Sequence, residues 1–160
     1  MPVYLFTFHA YGSWMPDHQR GYTHRQGGVR VADSEMAAQY RARQKQTVIA
    51  FEENHQLAVI DELQAAAQHQ RFILYAIATD PTHIHVLCGW EDARGWAKLR
   101  NGIRESITRM LNRAYTRRRW LAENASRKRV KEEEHFDHLR ANYLPGHRGL
   151  KWDPKSGVYR

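Results

Sequence analysis

The residues able to do chemistry cluster in TDPTHIHVLCGW, residues 79–90, where His83 and His85 flank Ile84 and an apolar run continues through Val86, Leu87 and Cys88. Strand side chains alternate between faces. The spacing therefore predicts both imidazoles on one side and Ile84, Val86 and Cys88 in a core. Two neutral imidazoles on adjacent pleats can hold one divalent cation. Among ten histidines, such a pair also arises by chance or for packing. Two sharper readings fail on the sequence itself. A histidine-triad nucleotide hydrolase needs a third histidine where Leu87 stands, and a barrel amidohydrolase needs far more than 160 residues. A small metal-assisted nuclease or transferase remains, or a protein without catalysis.

The elements that must position this pair follow from the flanking sequence. RFILYAIATD (71–80) reads as a partner strand, and Asp80-Pro81 supplies the turn of a hairpin. VYLFTFHAY (3–11) is aromatic and β-branched and reads as the first strand. The loop at 12–28 carries Trp14, Arg20, Tyr22 and Arg25, a mixture that could stack bases and hold phosphates, although a loop tryptophan also serves to plug a core edge. Asp33 or Ser34 can cap helical sequence running to about Gln70, as one helix or two divided near Asn54-His55. Leu57, Ile60, Leu63 and Ala67 form its expected inner face. A further helix is predicted from Ala93 to Arg118, with Trp96, Leu99, Ile103, Ile107, Met110 and Ala114 inward. WLAENASRKRV (120–130) reads as a small hairpin or edge strand. A last helix over 132–144 places Phe136, Leu139 and Tyr143 on one face, and Pro145-Gly146 ends it before a basic tail with a terminal strand. This order predicts one domain over 1–160. Its fold class is α+β, a ferredoxin-like antiparallel sheet with helices packed on one face.

Charge narrows the partner. Lys and Arg number 25 against 17 Asp and Glu, for a net charge of +8. That balance points to a polyanion, nucleic acid before an acidic membrane surface, with a merely solvated basic surface as the plain alternative. Arg104 and Arg113 lie off the apolar stripe of the long helix. They lead into Arg117, Arg118 and Arg119 and then Arg127, Lys128 and Arg129, a set suited to phosphate contacts. One cysteine excludes an intrachain disulfide and a cysteine-rich zinc site, which suits a reducing cytoplasm. No apolar run approaches the ~20 residues of a membrane span, and the opening lacks the charged start of a signal peptide.

The THIHVL strand, the opening strand followed by AYGSWMPDHQRG, and the late NYLPGHRGLKW together resemble single-tyrosine HUH transposases, in particular the group that includes REP-associated tyrosine transposases. The resemblance covers nearly the whole chain in order. It implies a ferredoxin-like fold, a divalent metal (usually Mg2+, with Mn2+ as the alternative) and cleavage of single-stranded or hairpin DNA without ATP. One tyrosine attacks the phosphate and leaves a 5′-phosphotyrosine and a free 3′-OH. Carried over residue by residue, His83 and His85 match the paired ligands and Tyr143 the nucleophile. His147, four residues on, matches the third ligand, with Asn142 and His138 as fallbacks because Pro145-Gly146 interrupts the helix. Thr82 stands where many relatives have Asn. The residues alone leave rivals open. Tyr143 could simply pack, Tyr115 is a second candidate nucleophile, and His135 with His138 could bind zinc or be solvated. Two other functions also stand open: a non-cleaving hairpin-binding module for DNA or RNA, and a replication-initiator or relaxase-like nickase; a homodimer stands open as well, with the tyrosine acting in cis or in a partner's site.

Overall fold

The computed structural model describes residues 1–13, 22–23, 29–43 and 47–160. In chain order the elements are β1 (Val3–His9), β2 (Tyr22–Thr23), β3 (Val29–Arg30), α1 (Ser34–Ala42), α2 (Glu53–Gln70), β4 (Ile73–Thr79), β5 (His83–Gly89), α3 (Trp96–Ala114) and β6 (Ser126–Val130). After these come α4 (Glu133–His138), a π-helical turn (Leu139–Tyr143), β7 (Lys151–Asp153) and β8 (Gly157–Tyr159). Six strands form one antiparallel sheet in the order β6-β1-β5-β4-β7-β8, and β2 pairs with β3 separately. β1, α2, β4, β5, α3 and β6 make the βαββαβ ferredoxin-like unit, and the β7–β8 hairpin extends the sheet beyond β4. Among the described residues no helix is long and apolar enough to cross a membrane.

The period of two along β1 and β5 divides their side chains between two layers. Tyr4, Phe6 and Phe8 join Ile84, Val86 and Cys88 in the main core, beneath Val59, Ile60 and Leu63 of α2 and Leu99, Ile103 and Ile107 of α3. Leu5 and Leu87 point the other way, to a smaller core with Ala76, Ala78 and Val130, closed by Leu139 and Leu144. The expected α+β sheet with helices against it is formed. α2 and α3 take one face, while α4 and the π turn cross the other. That second face is the face of His83 and His85.

Local details depart from the periodicity for identifiable reasons. Helical structure divides into α1 and α2, and Asn54-His55 lies in the first turn of α2 rather than at a break. A reciprocal capping box of Glu52 and His55 starts the helix there. Leu57 is 43% exposed, because Gln56, Val59, Ile60, Leu63 and Ala66 form the buried stripe. α3 is shorter than Ala93 to Arg118, since Gly95 and Tyr115 are both extended at its ends. Ala114 is exposed and Leu111 is buried in that stripe instead.

Candidate metal centre

A two-residue turn, Pro81-Thr82, carries β4 into β5. The Asp80 amide donates to the His83 carbonyl at 3.0 Å, and Asp80 Oδ1 accepts from the Thr82 amide at 2.7 Å and the Thr82 hydroxyl at 2.8 Å. The same carboxylate oxygen lies 3.0 Å from His83 Nδ1. Thr82 Oγ1 is 2.9 Å from that nitrogen as well. His85 faces Thr7, its cross-strand partner on β1, with Thr7 Oγ1 2.8 Å from His85 Nδ1 in a buried hydrogen bond. One nitrogen of each ring is thus engaged at the sheet, leaving Nε2 toward the cleft.

Tyr143 arrives on the opposite side through the π turn. The Leu144 amide donates to the Leu139 carbonyl at 2.9 Å, one residue beyond the α-helical step. That widening lets Leu139 and Leu144 both enter the small core. Tyr143 is left 42% exposed, with its hydroxyl 3.4 Å from His85 Nε2. It is therefore not a core residue. The chain then turns through Pro145-Gly146. His147 Nδ1 donates toward the carbonyls of Tyr143 at 3.0 Å and Leu144 at 3.2 Å. Ligand nitrogens of His83, His85 and His147 all lie within 4.8 Å of one another, the one such group of three among the described residues, and can hold a metal ion. His138 is not part of it. The cleft beside it has a volume of about 650 Å³ and is also lined by Asp80, Thr82, Tyr143 and Arg148.

The return loop is held by a buried polar knot. Gln56 Oε1 accepts from the Leu150 amide at 2.9 Å, and the Thr79 hydroxyl lies 2.6 Å from the Leu150 carbonyl and 2.9 Å from Gln56 Oε1. Gly149 passes so close that a Cβ there would sit 2.2 Å from the Thr79 carbonyl oxygen. Lys151, only 5% exposed, donates from Nζ to the His147 carbonyl at 2.8 Å. Electrostatics suit a neutral centre. Burial, then the neighbouring His83 and His147, pulls His85 down to about 2. Burial also lowers His147. Burial alone would raise Asp80, but hydrogen bonds from His83 and Thr82 outweigh it and hold the carboxyl well below the usual carboxylate range.

No family model matches the chain, and no curated protein matches it. The solved structures similar to this chain include the following two. One is a REP-associated tyrosine transposase bound to a REP hairpin, with 10% identity and a TM-score of 0.49 over 89% of this chain and 64% of that one. This chain thus spans less than two thirds of that protein's length. The other is a candidate transposase from Deinococcus radiodurans R1, with 11% identity and a TM-score of 0.47 over 92% of each chain.

The remaining site candidates separate in space. Trp14 and Arg20 lie outside the described residues. The cationic face of α3 is on the far side of the sheet from the histidines. There Arg104, Arg113 and Arg117 line a shallow groove of about 610 Å³. Arg104 donates to the Ala122 carbonyl at 3.2 Å, Arg118 donates to the Thr47 carbonyl at 3.3 Å, and Arg119 sits 4.0 Å from Glu123. Arg127 lies over the Trp96 ring at 3.8 Å. On β6, Lys128 opposes Leu5 and so shares the histidine face, whereas Arg127 and Arg129 oppose Phe6 and Tyr4 on the α3 face. Tyr115 donates to the Asn54 carbonyl at 3.2 Å and stacks edge-on with His55, apart from the three histidines. Cys88 is buried, which pushes its thiol up. Sequence reading did not find Thr7, Lys151 or Arg148 as parts of the site, and it read Asp80 only as turn chemistry. The Asp-Pro-Thr-His order was a usable signal for Asp80. Thr7 and Lys151 had none.

Proposed function

We propose that this chain is a metal-dependent single-stranded DNA endonuclease and strand transferase, a transposase that works through a 5′-phosphotyrosine on Tyr143. The observation that supports it best is the approach of the Tyr143 hydroxyl to within 3.4 Å of His85 Nε2, at the edge of a three-histidine centre in an open cleft. A phenol has a pKa near 10 and is a poor nucleophile until its proton leaves. The ion, when bound, neutralises non-bridging charge on the phosphate and stabilises phenolate. Tyr143 Oη then forms a bond to phosphorus as the bond to the 3′ oxygen breaks. The phenolic proton goes to solvent, and the 3′ oxygen takes one up. The covalent link conserves the phosphodiester energy for rejoining, as hydrolysis by water would not.

Single-stranded or hairpin DNA is the substrate in this reading. Lys128 and Arg129 point to opposite faces of the edge strand β6, so a strand could pass from the basic α3 face around that edge to the histidines. Arg148 and Arg160 line the cleft from the other side.

The test is incubation with labelled hairpin DNA and a divalent metal, followed by denaturing electrophoresis and mass spectrometry of any trapped peptide. An adduct is expected on Tyr143. Tyr143→Phe should abolish it with DNA binding retained, and Tyr115→Phe should still form it. Binding without any adduct, under every metal condition, would establish the hairpin-binding module instead.

A further inference from the structure

We infer that the three-imidazole centre takes a d-block divalent ion of the cobalt–zinc kind in preference to magnesium, against what the family resemblance implies. This rests on the same assignment of His83, His85 and His147 as ligands that the nuclease reading uses, and it goes beyond that reading in the ion and in the groups that hold the ligands.

The donor set carries the argument first. The three side chains offer nitrogen only. Oδ1 of Asp80, the carboxylate beside them, is engaged by His83 Nδ1, the Thr82 hydroxyl and the amides of Thr82 and His83. Magnesium is a hard ion that selects oxygen ligands and near-octahedral geometry. Imidazole nitrogen suits zinc, nickel, iron and copper. Three protein ligands beside an open position is the donor count of a catalytic zinc site.

The layer behind the rings points the same way. A carboxylate and a carbonyl can only accept, so His83 and His147 each carry their proton on Nδ1 and present an Nε2 lone pair. Thr7 Oγ1 can accept the same proton from His85. A carboxylate behind a ligating histidine fixes its tautomer and raises its basicity, as in carboxylate–histidine–zinc arrangements. The rings pack edge to face, with centroids 4.6 Å apart for His83 and His85 and 4.5 Å for His85 and His147. Asp80 and Thr7 are therefore positioning residues for a nitrogen-bound ion.

Untagged, metal-stripped full-length protein titrated with cobalt chloride should develop visible ligand-field absorption that saturates at a single ion per chain. Calorimetry with zinc chloride should give the same stoichiometry, and magnesium at about a hundredfold excess should not displace cobalt. Asp80→Asn should weaken cobalt binding about 10- to 100-fold and Thr7→Val should do likewise, with Thr7→Ser restoring it. His147→Ala, on the surface loop, serves as the ligand knockout should His85→Ala fail to fold. Displacement of cobalt by comparable magnesium would overturn the inference, as would cobalt binding that survives His147→Ala together with His83→Ala. Adduct formation is scored separately. Cobalt binding of this kind without any DNA adduct sinks the nuclease and leaves the ion assignment standing. An adduct with magnesium as the tighter ligand does the reverse.

Discussion

His85 is 3% exposed and sits between two other imidazoles, so a proton on it would be poorly solvated and repelled. Its pKa falls from 6.5 to about 2 in the folded chain. Between those values the unfolded chain binds the proton and the folded chain does not. The sign follows from that difference. The stabilising contribution of neutral His85 is fully present above pH 6.5 and is lost as pH falls toward 2, by at most about 1.4 kcal/mol per unit. His147 is lowered by burial and acts in the same direction. Urea midpoints of metal-free protein should therefore drop between pH 7.5 and 5.5, and His85→Asn, which carries no titrating group, should flatten that drop. An unchanged slope in the variant would show that His85 takes up its proton as easily folded as unfolded. Tyr143 makes a different point at this scale. In a regular helix it would share Leu139's inner face at i+4. The π turn gives that place to Leu144, and the phenol reaches the cleft.

The return loop, residues 145–150, is the element on which the third histidine depends. It holds no regular structure, so its position comes from the Gln56–Thr79–Leu150 knot, from Lys151 and from the close passage of Gly149 over β4. Gly149→Ala would set a methyl against the Thr79 carbonyl and against Gln56 Oε1, which accepts buried hydrogen bonds from Thr79 and Leu150. The expected cost is about 1–3 kcal/mol, as for overpacking. Lifting the loop also carries His147 away from His83 and His85. Thermal melts should show the loss in stability, and cobalt titration should show weaker binding than the destabilisation alone explains. Gly95→Ala is the control, because a Cβ there meets nothing within 4 Å.

Across the whole molecule, the sheet separates a basic face from a histidine face. A polyanion held by both must pass an edge, and β6 is the edge that carries cations on each side. Affinity for single-stranded DNA should then fall with log salt at roughly −0.7 per neutralised phosphate. Replacing Arg113 and Arg117, both exposed, by Ala should reduce that slope by roughly 1.4. Arg104→Ala should act more on stability, since its guanidinium ties α3 to the Ala122 carbonyl. Measured slopes for the two variants, beside their melting temperatures, separate phosphate contacts from structural ones. A flat salt dependence would remove nucleic acid as the partner.

The sequence by itself determined what short-range periodicity can encode. The alternation in His83-Ile84-His85-Val86 set which side chains enter the core, the Asp80-Pro81 turn made the hairpin, and the apolar spacing of α3 chose its buried stripe. Element order was enough for the α+β sheet. Tertiary structure decided what depends on register and on distant chain segments. Thr7 meets His85 across 78 residues only because β1 pairs with β5 in one register, and Leu150 meets Gln56 across 94 only because the tail returns along β4. No local pattern marks the π turn either. Its extra residue is stabilised by two leucines finding the same small core, a contact that exists only once the sheet's second face has formed.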